Sequence, residues 1–274
     1  MEKSKPLREA AIFFCLTLGL SFFVFCVPIA FIKIPTISFV DNNVGPTWAI
    51  ILFVFGGFVP SGVALFLTWK MEGKAGVKEI GRRIIQFDVG WQWYLATVLV
   101  VLLGTVGQLI ISLLLGNTFD YSLFIRQIGS LLPLIILGPL SEEIGWRGYA
   151  LDRLQTKWNA LASSLVVGIM WGLWHFPLFM MTGTSQNVLD IPFLGFLCSV
   201  ISLSVLFTWL HNNTGGSIWT AIFLHWVFTY SSQVIASGVT RSGLYNWLEF
   251  VPYAILAVVV TVVWKPKKLM LKDV

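Results

Sequence analysis

The chain has 274 residues, 57% of them hydrophobic and 11% charged, with 22 Phe, 13 Trp and a formal net charge of +5. A soluble domain of this length carries roughly a quarter charged residues, so this chain cannot cover itself with a water-facing surface and needs lipid as solvent. Its three cysteines, Cys15, Cys26 and Cys198, lie in apolar stretches without paired spacing, which argues against a disulfide framework or a thiolate metal centre.

A spanning helix needs about 20 mostly apolar residues. The first such run covers 9–32. A basic MEKSKPLR precedes it, as in a signal peptide, but residues 10–32 carry no charge and no small-x-small site follows, so a retained span is expected. Further spans are expected at 47–69, 91–115, 124–141 (continuing to 155), 160–181, 191–210, 216–237 and 245–264. The expectation is therefore an all-α polytopic membrane protein: about eight transmembrane helices in one bundle, a single domain over 1–274. Only the polar turn from His211 to Gly216 separates the sixth span from the seventh, and His211 is expected to be solvated there.

Eight spans put both termini on one side. With the N-terminus in the cytoplasm, fifteen of the 18 Lys and Arg fall inside, and only Lys33, Arg126 and Arg241 stay outside. This bias sets the orientation and accounts for the positive charge as a topology signal. The expected setting is a bacterial plasma membrane, with the lipid bilayer as partner. No nucleic acid is expected, because no basic face with interleaved aromatics stands free of the membrane. The basic segment 70–90 suits either the anionic inner leaflet or a solvated loop.

Ionisable groups at membrane depth are costly and point to function. Fifteen uncharged residues separate Arg126 from Glu142, a rise of roughly 24 Å in helix against about 30 Å of hydrocarbon. Glu142 and Glu143 are thus expected within the cytoplasmic half of the bilayer. Pro139, three residues before them, removes a backbone donor and predicts a break or kink. Glu143 and Arg147 are i,i+4, the spacing of a helical ion pair with the acid N-terminal. Glu142, rotated by about 100°, is left for chemistry. Two of the three histidines lie inside spans: His175 with Trp171 one turn before it, and His225 with Thr229 one turn after. A lone membrane histidine is usually a packing residue; two beside a glutamate pair are harder to dismiss.

At these residues the chain resembles the CPBP family, which includes the type II CAAX prenyl endopeptidases and bacterial Abi-type proteins. The family is marked by EExxxR, FxxxH and HxxxN in that order. Glu142-Glu143-Ile144-Gly145-Trp146-Arg147 matches the first fully. In the second, Trp171 replaces Phe and His175 matches; in the third, His225 matches and Thr229 stands in place of Asn. The likeness covers about 124–237. It implies an intramembrane endopeptidase open to the cytoplasm and acting on a membrane-embedded or lipidated peptide. Glu142 and His175 would activate a water, and His225 and Thr229 would steady the oxyanion, with Glu143, Arg147 and Trp171 in support. Thr229 offers a hydroxyl donor where the family has an amide.

Cofactor use is left with two readings. Glu142, His175 and His225 have the identities of a two-His, one-carboxylate zinc site, but the chain has no HExxH, and a metal-independent glutamate mechanism is preferred. Two other functions compete with the protease: a non-catalytic scaffold or bacteriocin-immunity protein, and a proton-coupled transporter using Glu and His as a relay. Retention of five buried ionisable side chains argues against the first. The absence of two similar halves with broken helices argues against the second.

Overall fold

The structure is a computed structural model that describes residues 5–31, 46–122, 125 and 137–270. Its long elements are helices: α1 (Lys5–Phe31), α2 (Thr47–Ile84), α3 (Trp91–Leu114), α4 (Leu137–Gly145), a π-helical segment (Trp146–Leu151), α5 (Asp152–Gln155), α6 (Ala160–Trp174), α7 (Ser185–Val188), α8 (Phe193–Asn213), α9 (Ile218–Gly238), α10 (Gly243–Leu248) and α11 (Val251–Trp264). The all-α polytopic reading holds.

Among the described residues, five helical stretches are long and apolar enough to cross a membrane: α1, α2, α3, α8 and α10–α11 taken together. Helix α6 has 15 residues, shorter than the 160–181 span expected from sequence, because the chain turns at His175 into a 3-10 segment (Phe176–Phe179) carrying Pro177 near its start. The first half of the expected fourth span, together with Arg126, lies outside the described residues. Leu20, Phe23, Leu102, Leu114, Trp91 and Val262 are exposed large apolar side chains, the surface that lipid covers and water would not.

Helix α2 is bent at Gly73, whose φ of 68° is left-handed and suits a residue without a Cβ. Beyond the bend, the basic stretch 74–84 runs to Arg83, whose guanidinium bonds Asp152 Oδ2 (2.6 Å) and the Gly216 carbonyl (2.6 Å). His211 completes this cluster: its Nε2 is 3.0 Å from Asp152 Oδ1 and 3.2 Å from the Arg83 guanidinium. At 2% exposure it is buried, not solvated as expected. The polar turn is folded inward by its glycines, since Gly215 and Gly216 both have positive φ.

The middle of the bundle is built around α4. It packs on α2 and α9, and α6 packs on α8. A Cβ on Gly145 would lie 2.7 Å from the Pro60 carbonyl oxygen, so glycine lets the α4 backbone touch α2. The Ser61 hydroxyl donates to the Leu140 carbonyl (3.2 Å) across the same contact. From Leu137 the helix runs through Pro139 to Gly145 without a break. The turn before Pro139 lies outside the described residues; after the glutamates the helix departs from α geometry in the π-helical turn Trp146–Leu151, every residue of which is buried. Such turns widen the helix locally and recur at functional sites.

Candidate active site

Three helices bring the sequence motifs together. Helix α4 and its π-turn carry Glu142, Glu143 and Arg147; the C-terminal turn of α6 carries Trp171 and His175; α9 carries His225 and Thr229. Glu142 is 7% exposed and His225 7%, while Glu143 and Arg147 are fully buried. A buried charge is tolerated only when paired and hydrogen-bonded, so the partners of each group define the site.

Glu143 and Arg147 form the expected i,i+4 pair. Arg147 Nη1 donates to both carboxylate oxygens of Glu143 at 2.9 Å. The rest of the guanidinium is held by rings: its central carbon lies 3.9 Å from the Phe207 centroid and 4.4 Å from the Trp171 ring. Its Nε and Nη2 have no hydrogen-bond partner among the described residues. Cation–π attraction is strongest where water is excluded, which suits a guanidinium so placed. Phe207 was not singled out from sequence, and nothing distinguishes it there from the other 21 Phe.

Glu143 has a second partner that its helical spacing does not reveal. Its Oε1 accepts from His225 Nδ1 at 2.7 Å. The carboxylate therefore joins α4 to α9, and it fixes the imidazole with Nδ1 protonated and Nε2 turned to the far side. Support of this kind, a carboxylate behind an imidazole, orients the ring and selects its tautomer. The division that makes Glu143 a purely structural partner of Arg147 is accordingly incomplete.

Glu142 points elsewhere, as its rotation on the helix requires. Its Oε2 accepts from the Trp171 indole N–H at 2.6 Å. One turn on, His175 Nδ1 is 2.8 Å from the Trp171 carbonyl. A carbonyl only accepts, so Nδ1 carries the hydrogen and Nε2 of the neutral ring keeps a lone pair. The Trp171 ring also meets His225 edge-on at 5.3 Å. Trp171 thus contacts Glu142, Arg147, His175 and His225 together.

Thr229 lies half-buried one turn beyond His225 on α9. Thr97, Thr208 and Thr261 each donate back to the carbonyl four residues earlier. No such bond is made by Thr229 among the described residues.

Among the described residues no three His, Cys, Asp or Glu side chains are grouped so as to hold a metal ion. Glu142 Oε2 and the Nδ1 atoms of His175 and His225 are hydrogen-bonded to Trp171 and Glu143. A cavity of about 340 Å³ lies away from these groups, lined by Asp152, His211, Gly216 and Lys268 among others.

Comparison with known proteins agrees with the motifs. Residues 124–231 match the profile of the family described as type II CAAX prenyl endopeptidase Rce1-like. The chain is also similar to the CAAX prenyl protease 2 of Methanococcus maripaludis, with 31% identity over 156 residues. That match covers 52% of this chain and 58% of the relative.

Proposed function

We propose, from the match of residues 124–231 to the type II CAAX prenyl endopeptidase Rce1-like family, that the chain is an intramembrane endopeptidase cleaving a lipidated or membrane-embedded peptide. Glu142 and His175 activate a water, and His225 with Thr229 holds the oxyanion.

The observation that supports this reading is the meeting of the three motifs in one buried hydrogen-bonded cluster: Glu142 to Trp171, His175 to Trp171, and Glu143 to both Arg147 and His225. Two carboxylates stand beside one guanidinium, which bonds Glu143; in the proposed mechanism the second negative charge is balanced by an extra proton on His225, so Glu142 is ionised as a general base requires.

In the first step a water O–H bond breaks and its proton passes to Glu142, while the water oxygen bonds to the scissile carbonyl carbon. The carbonyl π pair moves onto oxygen, where the Nε2–H of protonated His225 and the Thr229 hydroxyl donate to it. His175, neutral and with Nε2 free, accepts from the same water and orients it. The intermediate then collapses. The C–N bond breaks, and the proton held by Glu142 goes to the departing nitrogen, giving one carboxyl and one amine terminus. Donors aimed at the developing oxyanion are usually the largest electrostatic contribution. No step is routed through a metal.

The positive-inside bias favours cytoplasmic termini, and the proposal opens the site to that side. A prenylated C-terminal peptide whose lipid lies in the inner leaflet would approach from there.

The test uses purified protein in proteoliposomes. The substrates are a farnesylated peptide ending in a C-a-a-X sequence, its unprenylated copy and a membrane-embedded helical peptide, with products read by mass spectrometry. Wild type is expected to cleave at least one, and Glu142→Gln none. Wild type no faster than Glu142→Gln on all three would favour a scaffold.

A further inference from the structure

The resemblance puts a phenylalanine where this chain has Trp171, and the exchange adds one N–H donor to a buried site. A buried indole N–H generally finds an acceptor. Here it finds the Glu142 carboxylate, 2.6 Å away and on a helix 29 residues earlier in the chain. Both side chains are buried, Trp171 at 2% exposure and Glu142 at 7%. The neighbouring tryptophans do otherwise: Trp174 donates to the Ser21 hydroxyl at 2.7 Å, and the Trp146 N–H has no partner among the described residues.

We propose that the Trp171 indole N–H is a positioning group for Glu142, tying down Oε2 so that Oε1 is the oxygen that takes the proton from water. This rests on the reading of Glu142 as the base. The indole is suited to the task because its own position is fixed. The Arg147 guanidinium lies over its face, and His225 and Phe207 abut it at 5.3 and 5.6 Å. Its carbonyl accepts from His175 Nδ1. The side chain of Trp171 therefore sets the carboxylate while its backbone sets the histidine tautomer, and a substitution can separate the two. A phenylalanine at this position leaves the carboxylate to be oriented by other means.

Trp171→Phe keeps an aromatic ring and the backbone and removes the donor. It is expected to lower kcat by about 10- to 100-fold, the range of one hydrogen bond to a charged group, with KM changed less than about twofold. A second measurement needs no turnover. In protein carrying ¹⁵N-indole tryptophan, the Trp171 N–H resonance should lie downfield, as expected for donation to a carboxylate, and move upfield in Glu142→Gln. This holds the test open if Trp171→Phe folds poorly. A silent Trp171→Phe beside an inactive Glu142→Gln, or an indole resonance unmoved by Glu142→Gln, overturns the positioning role alone. An active Glu142→Gln overturns the base assignment and the positioning role with it.

Discussion

Glu143 Oε1 accepts from His225 Nδ1 at 2.7 Å, joining two helices through residues 82 positions apart in the chain. The same carboxylate neutralises Arg147, so one buried acid both balances a charge and orients an imidazole. Losing it should cost twice.

Glu143→Gln is therefore expected to lower both folded yield and activity per folded molecule. Removing one partner of a buried pair leaves the other charged and uncompensated, typically a loss of about 3–5 kcal/mol. Arg147→Leu should lose comparable stability. Glu142→Gln, which keeps an oxygen acceptor for Trp171, should melt like wild type and yet fail to cleave. Melting temperature and normalised cleavage rates for the three variants check this. Equal loss of stability in all three would show the assignment to be wrong.

Thr229 is the chain's departure from HxxxN. It makes no back-bond along α9 among the described residues, and the proposed mechanism gives its hydroxyl to the developing oxyanion. Thr229→Val, which keeps the shape without the donor, should lower kcat by about 10²-fold or more with little change in KM. Thr229→Asn should retain or raise activity. If Thr229→Val is silent and His225→Ala is not, only His225 serves the oxyanion.

Gly145 tests the α4–α2 contact. An added methyl would sit 2.7 Å from the Pro60 carbonyl oxygen, a backbone atom that cannot rotate away. Gly145→Ala should destabilise by about 1–3 kcal/mol, as overpacking commonly does. Because Glu142 and Glu143 ride on the same helix, activity should fall further than stability alone explains. Thermal melts and cleavage assays on the same preparation distinguish the two effects, and a Gly145→Ala protein as stable as wild type would show the contact to be looser than described.

Topology can be measured directly. Reporter fusions at Lys268 and in the segments around Asp41 and Asp190 are expected to read inside, outside and outside. An outside reading at Lys268 would overturn the expected eight-span topology and, with it, the proposed cytoplasmic approach to the site.

The sequence by itself determined the membrane setting, because composition decides which solvent a surface can face. It also determined the Glu143–Arg147 pair, because an i,i+4 spacing fixes a contact within one helix. Order and spacing of the three motifs were enough to mark Glu142, Glu143, Arg147, Trp171, His175, His225 and Thr229 as a set. What joins them was decided only by tertiary structure. The bond from Glu143 to His225, the indole donor on Glu142 and the Phe207 ring over Arg147 all cross between helices, and no local period encodes which faces meet. His211 shows the same limit. A polar turn reads as solvated until Arg83 and Asp152, distant in the chain, fold over it. A π-turn follows the glutamates, and the extra residue of such a turn depends on what packs around it.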